Sequence, residues 1–195
     1  MNLMNPDGNA SKTPPAKGKL LIAAPFLSDP DFSRSVVLLC EHGEDGTIGF
    51  ILNQLTALTL GDLQTDPSLY MTPLSLYQGG PVQPDTLHII HRMPEILGGL
   101  EVAPGIYWGG SYEKLKEIVI NETYQEADLR LFLGYSGWSE GQLDKEMVEN
   151  SWLVGNATAE LIFETEPHQI WKKAISSLGK NYSFMANMPI DPQLN

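Results

Sequence analysis

The run LFLGYSGWSEGQLDKEM, Leu131 to Met147, decides how the rest of the chain is read. It opens as an apolar, strand-like segment, passes Gly134 and Gly137, and ends in a helical pattern. Two readings compete. A nucleophile elbow would set Ser136 on a sharp strand-to-helix turn, which needs a glycine two residues after the serine so that strand and helix can cross closely. Trp138 stands there instead. A helix start accounts for more of the residues. Ser139 reads as the N-cap, Gln142 as its capping-box partner, Trp138 as a hydrophobic staple on Leu143, and Met147 as the next turn of the same face. The run is read as a corner, with Ser136 structural.

Outward from this corner, short elements can be placed. ADLRLFLG alternates apolar residues and predicts a strand leading into Gly134. SYEKLKEIVI, with Ser111 as cap, predicts a helix. Near the N-terminus, KLLIAA from Lys19 predicts a buried strand, and PFLSDPDFSRS a loop. SVVLLCEH and TIGFILN flank Asp45-Gly46 and predict a hairpin. TLGDL predicts a short helix capped by Thr59, and SLYQGGPV and TLHIIHR are strands divided by a Gly-Pro turn. A last helix carries one apolar stripe, Ile170, Trp171, Ala174, Ile175 and Leu178, with Pro167 at its start and Gly179 past its end. One domain, 17–187, is expected between two polar tails, 1–16 and 188–195.

Composition narrows the classes of function. The 195 residues carry 24 acidic and 12 basic side chains, a formal net charge of −12. Such a chain repels phosphate backbones, so direct nucleic-acid binding is not expected. The single cysteine, Cys40, forms no internal disulfide and fits a reducing compartment. No apolar run approaches the ~20 residues needed to cross a bilayer. The N-terminal residues lack a signal-peptide pattern, so the expected location is the cytoplasm.

Chemistry-bearing patterns are few. In a strand, Arg34, Val36, Leu38, Cys40 and His42 share a face, which would place thiol and imidazole side by side. An imidazolium could then lower the thiol pKa into a reactive range. Yet Val36 and Leu38 mark that face as apolar, the usual setting of an inert core cysteine. His88 and His91, three apart in a strand, point to opposite faces, and no metal-ligand spacing is present. YQGGPVQPD lacks the Walker lysine, and Pro81 removes a donor a phosphate cradle would use. Its paired Gly79 and Gly80 allow a close backbone approach instead. No cofactor is expected.

Several stretches together resemble one family. GKLLIAAPFLSDPDFSRSVVLLCEHGEDGTIGFILNQ, LYQGGPVQPDTLHIIHR, LFLGYSGWSEGQLDKEMVENSWLV and IWKKAISSLG, in that order, are similar to the AlgH/YqgE family of small bacterial proteins, from about Gly18 to Gly179. The resemblance implies an α+β fold, with a mixed, bifurcated β-sheet and a small barrel-like core surrounded by helices. It implies no established activity, although one member's name connects it with regulation of alginate production. Alanine commonly stands in that family where Ser136 stands here, which agrees with a structural serine. The long polar N-terminal tail and the C-terminal SFMANMPIDPQLN depart from the family pattern.

The resulting expectation is a cytosolic, non-catalytic binding or regulatory protein. Its cleft would be formed by strand-end loops through Arg34, Gly79, Gly80, Tyr135 and Trp138, and its partner would be a small molecule or a protein. Arg34 would either pair with Asp29 or Asp31 or anchor a carboxylate or phosphate. The alternative is a thiol-based enzyme or redox-responsive protein using Cys40 with His42.

Overall fold

The structure is a computed structural model that describes residues 13–63 and 66–188. Its strands are β1 (Lys19–Ala23), β2 (Val36–Gly43), β3 (Gly46–Ile51), β4 (Leu55–Thr59), β5 (Ser75–Gln78), β6 (Val82–His91), β7 (Leu100–Ala103), β8 (Ile106–Trp108), β9 (Leu129–Trp138) and β10 (Trp152–Asn156). The helices are α1 (Leu60–Leu63), α2 (Pro94–Leu97), α3 (Tyr112–Ile120), α4 (Gln142–Val148), α5 (Ala159–Phe163) and α6 (Pro167–Ser177). Most of the expected tails, residues 1–12 and 189–195, lie outside the described residues.

β9 organises the sheet. One edge pairs antiparallel with β6. On the other edge, Leu131, Phe132 and Leu133 pair in parallel with Leu76, Tyr77 and Gln78 of β5. Three residues later, Ser136, Gly137 and Trp138 pair antiparallel with Gly49, Ile48 and Thr47 of β3. The sheet therefore forks on β9, at Gly134, whose φ of 64° suits glycine. One arm continues as β3-β2-β1-β10, the other carries β5 and β4, and β6 leads on to β8 and β7. The result is the expected α+β architecture, a mixed, bifurcated sheet curled into a half-barrel with helices packed on it.

The corner falls later than the sequence predicts. Tyr135 to Trp138 remain strand, because β3 supplies hydrogen-bonding partners beyond the fork. The chain turns only at 139–141, and Gly141, with φ 68°, takes the N-cap position of α4. Ser139 is not the cap. The Gln142 side chain turns back to accept the Ser139 N–H at 3.1 Å, so only the reciprocal half of the capping box forms. Trp138 and Leu143 do pack in one cluster.

Three apolar layers hold the fold. β1, β2 and β3 alternate, sending Leu20, Ile22, Val36, Leu38 and Phe50 toward α6, and Leu21, Ala23, Val37, Leu39 and Ile51 toward Trp138, Leu143 and Trp152. Leu76, Leu129, Leu131 and Leu133 pack with Leu115, Ile118 and Val119 of α3. Ser111 caps that helix as expected, accepting the Lys114 N–H at 3.3 Å. On α6, Ile170, Trp171, Ala174 and Ile175 are buried, and Gly179 follows with φ 113°. Burying each of its large apolar side chains contributes roughly 1.5–3 kcal/mol.

Candidate functional site

Gly79 and Gly80 lie in the crotch of the fork. The Gly79 N–H donates to the Leu133 carbonyl at 2.8 Å, and its own carbonyl accepts from the Ile51 N–H at 2.9 Å and the Ser136 hydroxyl at 3.0 Å. A Cβ on Gly79 would stand 2.3 Å from the Gly134 carbonyl oxygen, and one on Gly80 equally close to that of Tyr135. The close approach that the paired glycines allow is thus made by β9 of the same chain. Ser136 is fully buried with its hydroxyl committed to this crossing.

The crossing fixes Tyr135. Its ring lies against Gly137, where a Cβ would be 3.3 Å from Cε2, and meets the His88 ring edge-to-face at 5.9 Å. Beside it is an open depression of about 440 Å³, lined by Ile48, Val82 and Tyr135 and by the hairpin residues Glu41, Asp45 and Thr47. Two exposed carboxylates therefore border an aromatic and aliphatic floor. Trp138 also reaches this lining, but it is only 4% exposed. Its indole N–H donates to Glu146 Oε2 at 2.9 Å, and its ring packs with Phe32 and Trp152.

Arg34 is elsewhere. It belongs to the layer facing α6, with its guanidinium 4.5 Å over the Trp171 ring, whereas Trp138 belongs to the layer on the opposite face of the sheet. Among the described residues it forms no ion pair with Asp29 or Asp31. Asp29 instead accepts the Asp31 N–H at 2.9 Å. Of the five residues expected to share one cleft, Gly79, Gly80 and Tyr135 converge, Trp138 borders the same depression while buried, and Arg34 stands apart.

The thiol and imidazole do not form a reactive pair. β2 carries a bulge, its register passing from Leu39–Gly49 to Glu41–Ile48, so that Cys40 is the extra residue. Strict alternation ends there. Cys40 is fully buried, and desolvation, with the Glu41 charge, pushes its thiol pKa up, away from thiolate. His42 is exposed and lies 2.7 Å from the Thr47 hydroxyl through Nδ1. No cluster of three or more potential metal ligands exists among the described residues.

The family model described as AlgH-like (DUF179) matches residues 20–183. The chain belongs to the AlgH-like family. A UPF0301 protein of Chlorobaculum tepidum is 40% identical over 179 residues, covering 91% of this chain and 95% of the relative. One from Cytophaga hutchinsonii is 39% identical over 181 residues, covering 92% and 98%. Among solved structures, the AlgH protein of Pseudomonas aeruginosa superposes with a TM-score of 0.70 at 28% identity, covering 91% of this chain and 96% of that one. Protein DIP2367 of Corynebacterium diphtheriae shares the fold, with a TM-score of 0.74 at 23% identity over 90% and 94%.

Two polar centres of this AlgH-like chain escaped sequence reasoning. Glu146 Oε2 accepts both indole N–H groups, from Trp138 at 2.9 Å and Trp152 at 2.7 Å. Arg130, on β9, donates to the Ile162 carbonyl, the Tyr77 hydroxyl and, at 3.2 Å, the Thr165 carbonyl. Burial lowers its pKa. The only signal for Arg130 was a lone cation inside an apolar strand.

Proposed function

We propose that this AlgH-like protein is a cytosolic, non-catalytic binding protein whose ligand lies on the Tyr135 surface. The carrying observation is the depression itself, where a half-buried tyrosine, held by the Gly79–Gly80 crossing, is flanked by Ile48 and Val82 and bordered by Glu41 and Asp45. Carboxylates beside an aromatic face favour a ligand with a cationic group and an apolar body. The net charge of −12 favours the same sign and disfavours a nucleic acid. The unpaired Cys40 supports a reducing location. Its burial gives no support to the thiol alternative. Native mass spectrometry of protein taken directly from cells tests the proposal. A small-molecule adduct carried by wild type and lost in a folded Tyr135→Ala variant is the expected result. An adduct retained in full by that variant would place the ligand elsewhere and sink the proposal.

A further inference from the structure

The chain has three arginines, and their environments differ. Arg92 pairs with Asp128 and Glu164. Arg130 has all three of its nitrogens engaged by protein acceptors. Arg34 has neither arrangement. It lies within 4.0 Å of no carboxylate among the described residues, although the chain has 24 acidic side chains. Its Nη2 donates to the Met188 carbonyl, and its Nε is buried without a partner. The adjacent Ser35 hydroxyl is also buried and unpartnered. Among the described residues, these two neighbouring side chains hold all the buried polar side-chain atoms that lack a hydrogen bond. A buried donor left without an acceptor is destabilising, so such groups are seldom left unsatisfied.

The backbone is built to hold Arg34 in place. Its φ of 52° is unusual for a non-glycine residue, and the Asn53 side chain clamps it, donating to the Arg34 carbonyl at 2.9 Å and accepting the Val36 N–H at 2.9 Å. Trp171, under the guanidinium face, is itself fixed by an indole N–H donated to the Ala23 carbonyl at 2.9 Å. Face and position are thus set, and one edge of the guanidinium is half used. The Nε–H and one Nη2–H of arginine point the same way, at the spacing of two oxygens of a carboxylate or phosphate. Here Nη2 already donates to a single carbonyl oxygen, that of Met188.

We infer that the Nε–Nη2 edge of Arg34 is a binding site for an oxyanion, a carboxylate or a phosphate, and that the Met188 carbonyl is its internal competitor. An arriving oxyanion takes both donors, and the segment Met185–Met188 loses its hold on Arg34. This site prefers the opposite charge from the Tyr135 depression and faces α6, so it does not rest on that proposal.

The three Nε–H groups give the test directly. In the full-length protein, the Arg34 Nε–H signal is assigned by through-bond correlation to its own backbone amide. Sodium phosphate and sodium acetate are then titrated separately at constant ionic strength. The expected result is a saturable shift of the Arg34 Nε–H, with the Asn187 and Met188 amides moving at the same midpoint and Arg92 and Arg130 unmoved. Saturation by either anion supports the site, and the lower midpoint assigns it to phosphate or carboxylate. No shift, as for a site filled by water, or equal non-saturating drift of all three signals, overturns it.

Discussion

Among single residues, Gly141 sets the turn into α4, because its φ of 68° suits glycine at the N-cap. The Ser139–Gln142 spacing is visible in the chain, and their side-chain contact forms. The cap nonetheless passes to Gly141, because the pairing of Trp138 with Thr47 keeps the chain extended beyond the expected end of the strand. Ser139→Ala is therefore expected to cost less than about 0.5 kcal/mol, since its hydroxyl makes only a long 3.3 Å contact to Gln142. Gly141→Ala, at φ 68°, is expected to cost about 1–2 kcal/mol. Urea denaturation of the two variants checks the order, and a larger loss from Ser139→Ala would restore the serine as cap. The Cys40–His42 pairing failed for a comparable reason. One bulge residue ends the alternation on which the shared face depended, and bulges leave no sure mark in a single sequence.

At the element scale, period and punctuation carried the reading. The α6 stripe, the β2–β3 hairpin and the Ser111 cap were legible because each has its own local signal. β7, β8 and β10 are short, and their pairing is set by distant partners, so the sequence offered little for them. The end of β6 makes a pH prediction. His91 is fully buried, its Nδ1 accepts the Met93 N–H at 3.1 Å, and its Nε2 faces the Gly109 carbonyl at 3.0 Å. This pairing fits a neutral ring that donates from Nε2, and desolvation lowers its pKa despite the Gly109 contact. The unfolded ring, near the ordinary value of 6.5, takes up a proton before the folded one does. Stability is therefore full above that value and falls as pH drops through it toward the lowered folded value. Unfolding free energies at neutral and mildly acidic pH should decline in wild type and decline less in His91→Gln. Equal slopes would remove His91 as the cause.

At the scale of the whole molecule, the fork on β9 joins fold to site. The glycines at 79, 80 and 134 could be seen as turn formers, but not as the place where three strands meet, because parallel pairing of β5 with β9 spans a long stretch of chain. Gly79→Ala should cost about 1–3 kcal/mol or more from the clash with the Gly134 carbonyl. Gly43→Ala, with nothing within 4 Å of the added carbon, is the control expected to stay near neutral in the same denaturation experiment. We propose that this fork presents Tyr135 to a cationic, apolar ligand. The most direct test is an amide-resolved NMR titration with benzyltrimethylammonium chloride, matched against sodium chloride. Saturable shifts at Gly46, Thr47, Tyr135 and Gly137 that vanish in Tyr135→Ala are the predicted result. Shifts that sodium chloride reproduces, or that persist unchanged in Tyr135→Ala, would contradict it.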